Sequence, residues 1–349
     1  MTNHPLVIDG IHPTVILPKT EVLDYVQTEI KKVSRSQVFT IIDEQVARLY
    51  PEWTSIYPCI RVSAGEACKD LSVVQEVVHT LLEKGADRQS FILGVGGGSL
   101  SDLCGFIASI FMRGIPFAFV PSTLLSMTDA SLGGKNGVNF GGFKNVLGII
   151  RQPEFVTISP HFVQTLDERS YRSGFAEVIK HACLSGAPFL QFLENNNASL
   201  LQQDLSKLSD LLQRSIAVKM KIVNEDEFES GARKKLNLGH TIGHALEVMY
   251  PFTHGESISI GMVLAAKIGE RIHKTVNGYS SQIASLCNAY NLPVSCDFKT
   301  DKIIEKILAD KKRVLEQVRF ILPIKPGDVE IVNISLADIT LHLNELESK

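Results

Sequence analysis

Three histidines stand close together in LNLGHTIGHALEVMYPFTHGE, residues 236–256. His240 and His244 are four apart, so on a helix they project from one face, a turn apart. Glu247 follows three residues later. His254 comes after MYPFTH, which reads as a loop. Neutral imidazoles on one helical face, joined by a third from a neighbouring loop, suit a facial ligand set for a divalent metal such as zinc. The order is not H-E-x-x-H, because Thr241 occupies the place where a metalloprotease helix carries its glutamate base. Taken alone, His244 reads more simply as a surface or core histidine. The cluster reads as a site only with the rest of the chain.

The residues leading up to the cluster are polar at the same period. Glu229, Arg233 and Asn237 lie at i, i+4 and i+8, and Arg233, Asn237, His240 and His244 form one stripe of a helix. Such a stripe is odd for a core-facing helix and natural for one that lines a polar pocket. Lys219 stands on the helix before the acidic break NEDEFES. Further back, Glu177 and Lys180 are three apart and share a face, which taken by itself is an ion pair. The apolar run ISIGMVLAAKIGERI (258–272) predicts a helix able to cover the site.

The N-terminal half must position a different kind of chemistry. TVILP, QVFTIID and FILGVG read as strands, rich in β-branched and aromatic residues, and helical patterns alternate with them. That alternation predicts a parallel sheet with helices on its faces. Gly94, Gly96, Gly97 and Gly98 cluster where FILGVG ends, just before a helix beginning near Ser99 or Ser101. Glycines there let the backbone approach a ligand, and a helix N-terminus suits a pyrophosphate. The G-x-G-x-x-G fingerprint is not met, so the turn alone is a weak dinucleotide signal. IPFAFVPSTLLSMTDASLGGKNGVNFGGFKN (115–145) begins as a strand and then reads as a long irregular stretch. It places Ser122, Thr123, Asp129, Lys135, Asn139, Lys144 and Asn145 near the C-terminal edge of the sheet, where α/β proteins bind ligands.

At 349 residues the chain can build two domains with ample core. We expect the boundary near 160: residues 1–159 as a Rossmann-like α/β domain and 160–349 as an α-helical domain. A net charge of −3 argues against a nucleic-acid binder, which needs a basic face. The six cysteines form no CxxC pair and no disulfide framework, which predicts reduced thiols. No signal peptide or membrane-spanning run is seen, so the expectation is a cytoplasmic protein without a membrane partner.

The motifs GGGSLSDLCGF, RGIPFAFVPSTLL, TDASLGGKNGVN, the Lys144-Asn145 pair, GFAEVIKH, LNLGHTIGHALE, HGESISIGM and DKK together resemble the 3-dehydroquinate synthase family of the shikimate pathway. They occur in the family's order from about Glu66 to Lys312. The resemblance implies a Rossmann-like α/β domain followed by an all-α domain, with NAD and a divalent metal, Zn2+ or Co2+ in its place, and a homodimer. It implies Glu177, His240 and His254 as the metal ligands, a set that periodicity does not give. The implied NAD contacts are Asp43, Glu66, Lys69, Gly97, Gly98, Asp102, Ser122, Thr123, Lys135, Lys144 and Thr165. The implied catalytic and substrate contacts are Arg113, reaching a partner subunit's site, and Asp129, Lys135, Asn145, Lys180, Lys219, Arg233, Asn237 and His244, with one lysine of Lys311/Lys312. His244 would sit near the phosphate and relay a proton.

The implied reaction turns 3-deoxy-D-arabino-heptulosonate 7-phosphate into 3-dehydroquinate and phosphate through oxidation, elimination, reduction and an intramolecular aldol closure. A related cyclase of the 2-deoxy-scyllo-inosose synthase or sedoheptulose 7-phosphate type is the alternative. A keto acid needs a cationic clamp for its carboxylate, and Lys219, Arg233, Asn237 and the Lys311/Lys312 pair make that clamp complete. The chain departs from the common family pattern at Ser122, Asn136, Phe140 and Gly141-Gly142-Phe143, and the loop between His244 and His254 is short.

Overall fold

The computed structural model describes residues 6–8, 10–311 and 317–347. By contacts the chain divides into two units. The first is Met1–Asp167 with Leu205–Glu227, and the second is Glu168–Asp204 with Phe228–Lys349. The sequence suggests a single cut near 160; the contact division is discontinuous, because helix Leu205–Glu225 packs on strand Leu6–Ile8 and the turn Ser126–Ala130. Its buried Leu208, Leu211, Leu212, Ile216, Met220 and Val223 repeat at helical spacing.

The first unit is built on a seven-stranded sheet. Its strands are β1 (Leu6–Ile8), β2 (Thr14–Ile16), β3 (Val38–Asp43), β4 (Cys59–Val62), β5 (Phe91–Gly96), β6 (Phe117–Pro121) and, beyond a separate hairpin, β9 (Val156–Ile158). The order is β1-β2-β9-β6-β5-β3-β4, and every pairing except β1–β2 is parallel. Strands β5 and β6 are buried along their whole length, as expected of parallel strands covered on both faces. In register, Ile42 pairs with Val95 and Gly96 with Pro121. Asp43, the Gly96–Gly98 turn and Ser122 therefore leave the sheet at one carboxyl edge, where such sheets bind ligands.

Residues 115–145 are more ordered than their composition suggests. After β6 comes a π-helical turn, Ser126–Ala130, and then the hairpin of β7 (Lys135–Phe140) and β8 (Phe143–Ile150). Gly141 and Gly142 form its two-residue turn with φ of +60° and +81°. Two positive φ values in succession are what a tight hairpin turn demands, and glycine meets that demand without strain. Asn136 ties the hairpin's base, donating to the carbonyls of Gly134 and Arg151.

The second unit is mainly helical: Glu168–Ser185, Ala187–Leu201, His240–Met249, His254–Arg271, Tyr279–Ala289, Thr300–Lys311 and Leu336–Glu347. It also holds the antiparallel hairpin β10 (Gln317–Lys325) and β11 (Asp328–Ser335), into which the FILPI run falls. Helices His240–Met249 and His254–Arg271 cross closely. A Cβ on Gly261 would fall 2.1 Å from the Gly239 carbonyl, and one on Gly243 would fall 3.0 Å from that of Ser257. Likewise Gly255 lies so near Ser173 that a Cβ would meet its carbonyl at 1.9 Å. These absent side chains bring three backbone segments together around the histidines. Among the described residues no helix is long and apolar enough to cross a membrane.

Candidate active site

In the second unit, three helices converge on one carboxylate. Glu177 lies on Glu168–Ser185 with its side chain fully withdrawn from solvent, and Lys180, a turn later, forms an ion pair with it. His240 opens its helix after Gly239, which takes a left-handed φ of +83°. That glycine follows Leu238, the C-cap of the short 3₁₀ helix Ala232–Asn237, and redirects the chain into the next helix. The expected continuous stripe from Arg233 to His244 is therefore broken: Arg233 and Asn237 belong to the 3₁₀ turn, and His240 and His244 to a new helix. His254 is not a loop residue. It is the first residue of helix His254–Arg271, whose capping box pairs Thr253 with Glu256.

His240 Nε2 lies 3.7 Å, and His254 Nε2 3.3 Å, from Glu177 Oε1. One ligand-capable atom from each of Glu177, His240 and His254 falls within 4.8 Å of the other two. Bonds of about 2.1 Å at tetrahedral angles put neighbouring ligand atoms about 3.4 Å apart, so the donor set fits a zinc-like ion. His244, Glu247 and His254 form a second such group. His244 itself is exposed, its ring centroid 5.1 Å from that of His240.

The electrostatics of the two imidazoles differ. Burial, helped by the Lys180 ammonium, holds His240 well below the usual histidine range, so it is neutral and has a lone pair to give. Burial would lower His254 as well, but its hydrogen bonds to Glu177 and Glu247 outweigh it and push the ring up to about 10. A cation bound there must displace a proton.

The first unit gathers a different set. Helix Gly98–Ile110 starts at the carboxyl edge of the sheet, and no side chain caps its N-terminal N–H groups. A Cβ on Gly98 would come 2.8 Å from that of Ala130, and one on Gly97 would lie 3.3 Å from Thr123 Cγ2. Open backbone donors beside glycines fit a pyrophosphate. Buried Lys69 donates to Asp102 Oδ2 at 2.6 Å and Asn145 Oδ1 at 2.5 Å. Burial would lower the Lys69 ammonium, but the Asp102 and Glu66 carboxylates raise it above its ordinary value. Glu66 accepts from Ser99 and Asn139, and Asn139 in turn accepts from the Asn145 backbone. Asn145 has φ of +52°.

Several other expected residues are engaged in contacts of their own. Asp43 is occupied as the N-cap of helix Glu44–Leu49, accepting from Gln45 and Val46. Ser122 is buried, its N–H on the Gly96 carbonyl. Thr123 bonds Ser126, and Thr165 bonds the Tyr50 hydroxyl. Lys219 donates to the Asp129 carboxylate at 2.7 Å and to its carbonyl at 2.6 Å. Arg113, Lys135 and Lys144 are exposed. Arg233 is buried, and Asn237 donates to Glu229. The Lys311 side chain and Lys312 lie outside the described residues. Glu247 received no role from the sequence beyond its place after His244, although it contacts His254 directly.

Profiles for two consecutive domains match the chain: 3-dehydroquinate synthase N-terminal over residues 59–173, and 3-dehydroquinate synthase C-terminal over residues 174–313. The chain belongs to the 3-dehydroquinate synthase family. A 3-dehydroquinate synthase of Dictyoglomus turgidum is 38% identical over 316 residues, covering 89% of each chain. Family membership accounts for the α/β sheet and the helical second unit. Among solved structures, 2-epi-5-epi-valiolone synthase from Streptomyces hygroscopicus subsp. jinggangensis, with NAD+ and Zn2+ bound, has a TM-score of 0.87 at 27% identity and covers 98% of both chains. A 2-deoxy-scyllo-inosose synthase complexed with carbaglucose-6-phosphate, NAD+ and Co2+ has a TM-score of 0.86 at 25% identity, covering 98% of this chain and 100% of that one.

Proposed function

We propose that this member of the 3-dehydroquinate synthase family converts 3-deoxy-D-arabino-heptulosonate 7-phosphate into 3-dehydroquinate and phosphate, using NAD and a divalent metal and working as a homodimer in the cytoplasm. The observation that carries the reading is the meeting of Glu177 with His240 and His254, one carboxylate and two imidazoles spaced as a metal shell requires. On this reading those three hold Zn2+ or Co2+. The Gly97-Gly98 turn, Asp43, Glu66, Lys69, Asp102, Ser122, Thr123, Lys135, Lys144 and Thr165 hold the dinucleotide. When bound, NAD accepts and returns a hydride while the metal acidifies the reacting hydroxyl.

The chain's own residues bind, orient and move protons. Lys180, Arg233, Asn237 and His244 in the second unit serve the substrate, as do Asp129, Lys135, Asn145 and Lys219 in the first and Arg113 of a partner copy. The Arg233 guanidinium suits the substrate carboxylate as a two-pronged donor. Exposed His244 can hold or pass a proton at its imidazole. Identity of 38% to a 3-dehydroquinate synthase, against 25–27% to the cyclases of other sugar phosphates, supports the keto acid as substrate.

The test is turnover. Purified protein given the heptulosonate phosphate, NAD+ and Zn2+ should release phosphate and form 3-dehydroquinate. Turnover of glucose 6-phosphate or sedoheptulose 7-phosphate in its place would overturn the assignment of substrate.

A further inference from the structure

We infer that Glu247 is a positioning residue for the metal ligand His254: its carboxylate accepts a hydrogen bond from Nδ1–H, keeps the proton on that nitrogen and so leaves Nε2 for the metal. The inference rests on the metal set proposed above and deepens it. An imidazole has two nitrogens, and a neutral ring can coordinate with only the unprotonated one. Glu247 Oε2 lies 3.2 Å from His254 Nδ1, while Nε2 of the same ring faces Glu177 Oε1 at 3.3 Å. His240 repeats the arrangement with a different acceptor. Its Nδ1 is 3.1 Å from the Leu238 carbonyl, and its Nε2 also faces Glu177 Oε1. Two rings from two helices thus turn the same nitrogen toward one carboxylate oxygen. Each is held from behind by an acceptor that fixes its tautomer.

The two acceptors are not equivalent. A backbone carbonyl cannot be removed by substitution, whereas the Glu247 carboxylate can be removed or replaced by an amide of the same shape. Glu247 reaches His254 because it stands seven residues after His240, two turns along the same face. The short Tyr250–Thr253 connection and the Thr253 capping box set where the next helix starts. A carboxylate behind a ligating histidine raises its basicity and holds its plane, and losing such a partner costs about 10- to 100-fold in metal affinity.

The experiment titrates full-length, metal-stripped protein with Zn2+ against a chelating indicator and records Co2+ absorption spectra. Glu247→Ala should weaken Zn2+ binding about 10- to 100-fold. Glu247→Gln, which still accepts from Nδ1 but without charge, should fall between it and the unsubstituted protein. In both variants the Co2+ bands should keep their positions, since the ligands themselves are unchanged, and circular dichroism of the metal-free proteins should match. Equal Zn2+ affinity in Glu247→Ala would overturn the inference. So would shifted Co2+ bands in Glu247→Ala together with intact binding in His240→Ala, which would make Glu247 a ligand in the His244 group. If Glu177→Ala binds Zn2+ as tightly as the unsubstituted protein, the metal set itself falls, and this inference falls with it.

Discussion

Lys180 and Glu177 stand three residues apart on one helix and form an ion pair in which the side chains keep 2% and 0% of their exposure. Removing the ammonium takes one buried cation from Glu177 and leaves the His254 ring to offset part of its charge, a loss of about 3 kcal/mol, the low end for a broken buried pair. Lys180→Met should therefore lower the stability of the metal-free protein by about that much in urea melts. Saturating Zn2+ should recover most of the deficit, because a cation on Glu177 replaces the missing ammonium. A deficit that Zn2+ leaves untouched would separate Glu177 from the metal.

His12 carries a pH dependence of its own. The ring is 3% exposed, its Nε2 is buried without a partner, and Nδ1 only reaches the Thr14 hydroxyl at 3.3 Å and the Pro13 carbonyl at 3.4 Å. Burial, with a small contribution from the Lys219 charge, lowers its pKa from 6.5 to about 4. Between those values the unfolded chain takes up a proton that the folded chain refuses. Stability should thus be full above pH 6.5 and fall as pH drops toward 4, by ~3 kcal/mol over the window. His12→Asn should remove this step, so its stability relative to the unsubstituted protein rises between pH 7.5 and pH 5. Parallel urea melts at the two pH values that keep a constant gap would refute it.

What the sequence makes legible follows from the range of each signal. Strands β3, β5 and β6 and the glycine turn are local patterns, and they fold as they read. The approach of His240 to His254 is nearly local as well. Glu177 is not: it reaches them from a helix more than sixty residues earlier, and spacing carries no trace of a contact made by packing. The stripe from Arg233 to His244 misleads because helical period counts residues without knowing that Gly239 turns left-handed under the carbonyls of the next helix. The β7–β8 hairpin hides behind glycine and asparagine, which read as loop. Its Gly141-Gly142 turn is the feature that could have revealed it. The amphipathic period of Leu205–Glu225 tells which face is buried but not which unit buries it.

Lys69 joins two segments of the first unit that the sequence separates, Asp102 on a helix and Asn145 on β8. If this cluster holds NAD, Lys69→Met removes a cation and both hydrogen bonds. One charge-assisted bond from that ammonium to the dinucleotide would contribute about 1.5–3 kcal/mol, so NAD+ affinity should fall at least about tenfold. Isothermal titration with NAD+ gives the answer directly. An unchanged dissociation constant would take Lys69 out of the dinucleotide site and leave it as a brace for β8.

Arg233 gives the sharpest test of the substrate. Its side chain is 2% exposed, on the 3₁₀ turn Ala232–Asn237, so it is held in place before any ligand arrives. A guanidinium fixed in advance can meet a carboxylate with two parallel N–H donors and orient the ring for the closing step. Arg233→Ala should raise KM for the keto-acid phosphate and lower kcat, a combined loss of at least about 100-fold in kcat/KM if two charge-assisted bonds are lost. Arg233→Lys keeps the charge and loses the fork, so it should recover only part of the rate. Zn2+ affinity measured alongside separates a substrate role from a general disturbance of the site. Kinetics unchanged by either substitution would remove Arg233 from the carboxylate clamp, and with it the structural argument for a keto acid over a sugar phosphate that has no carboxylate.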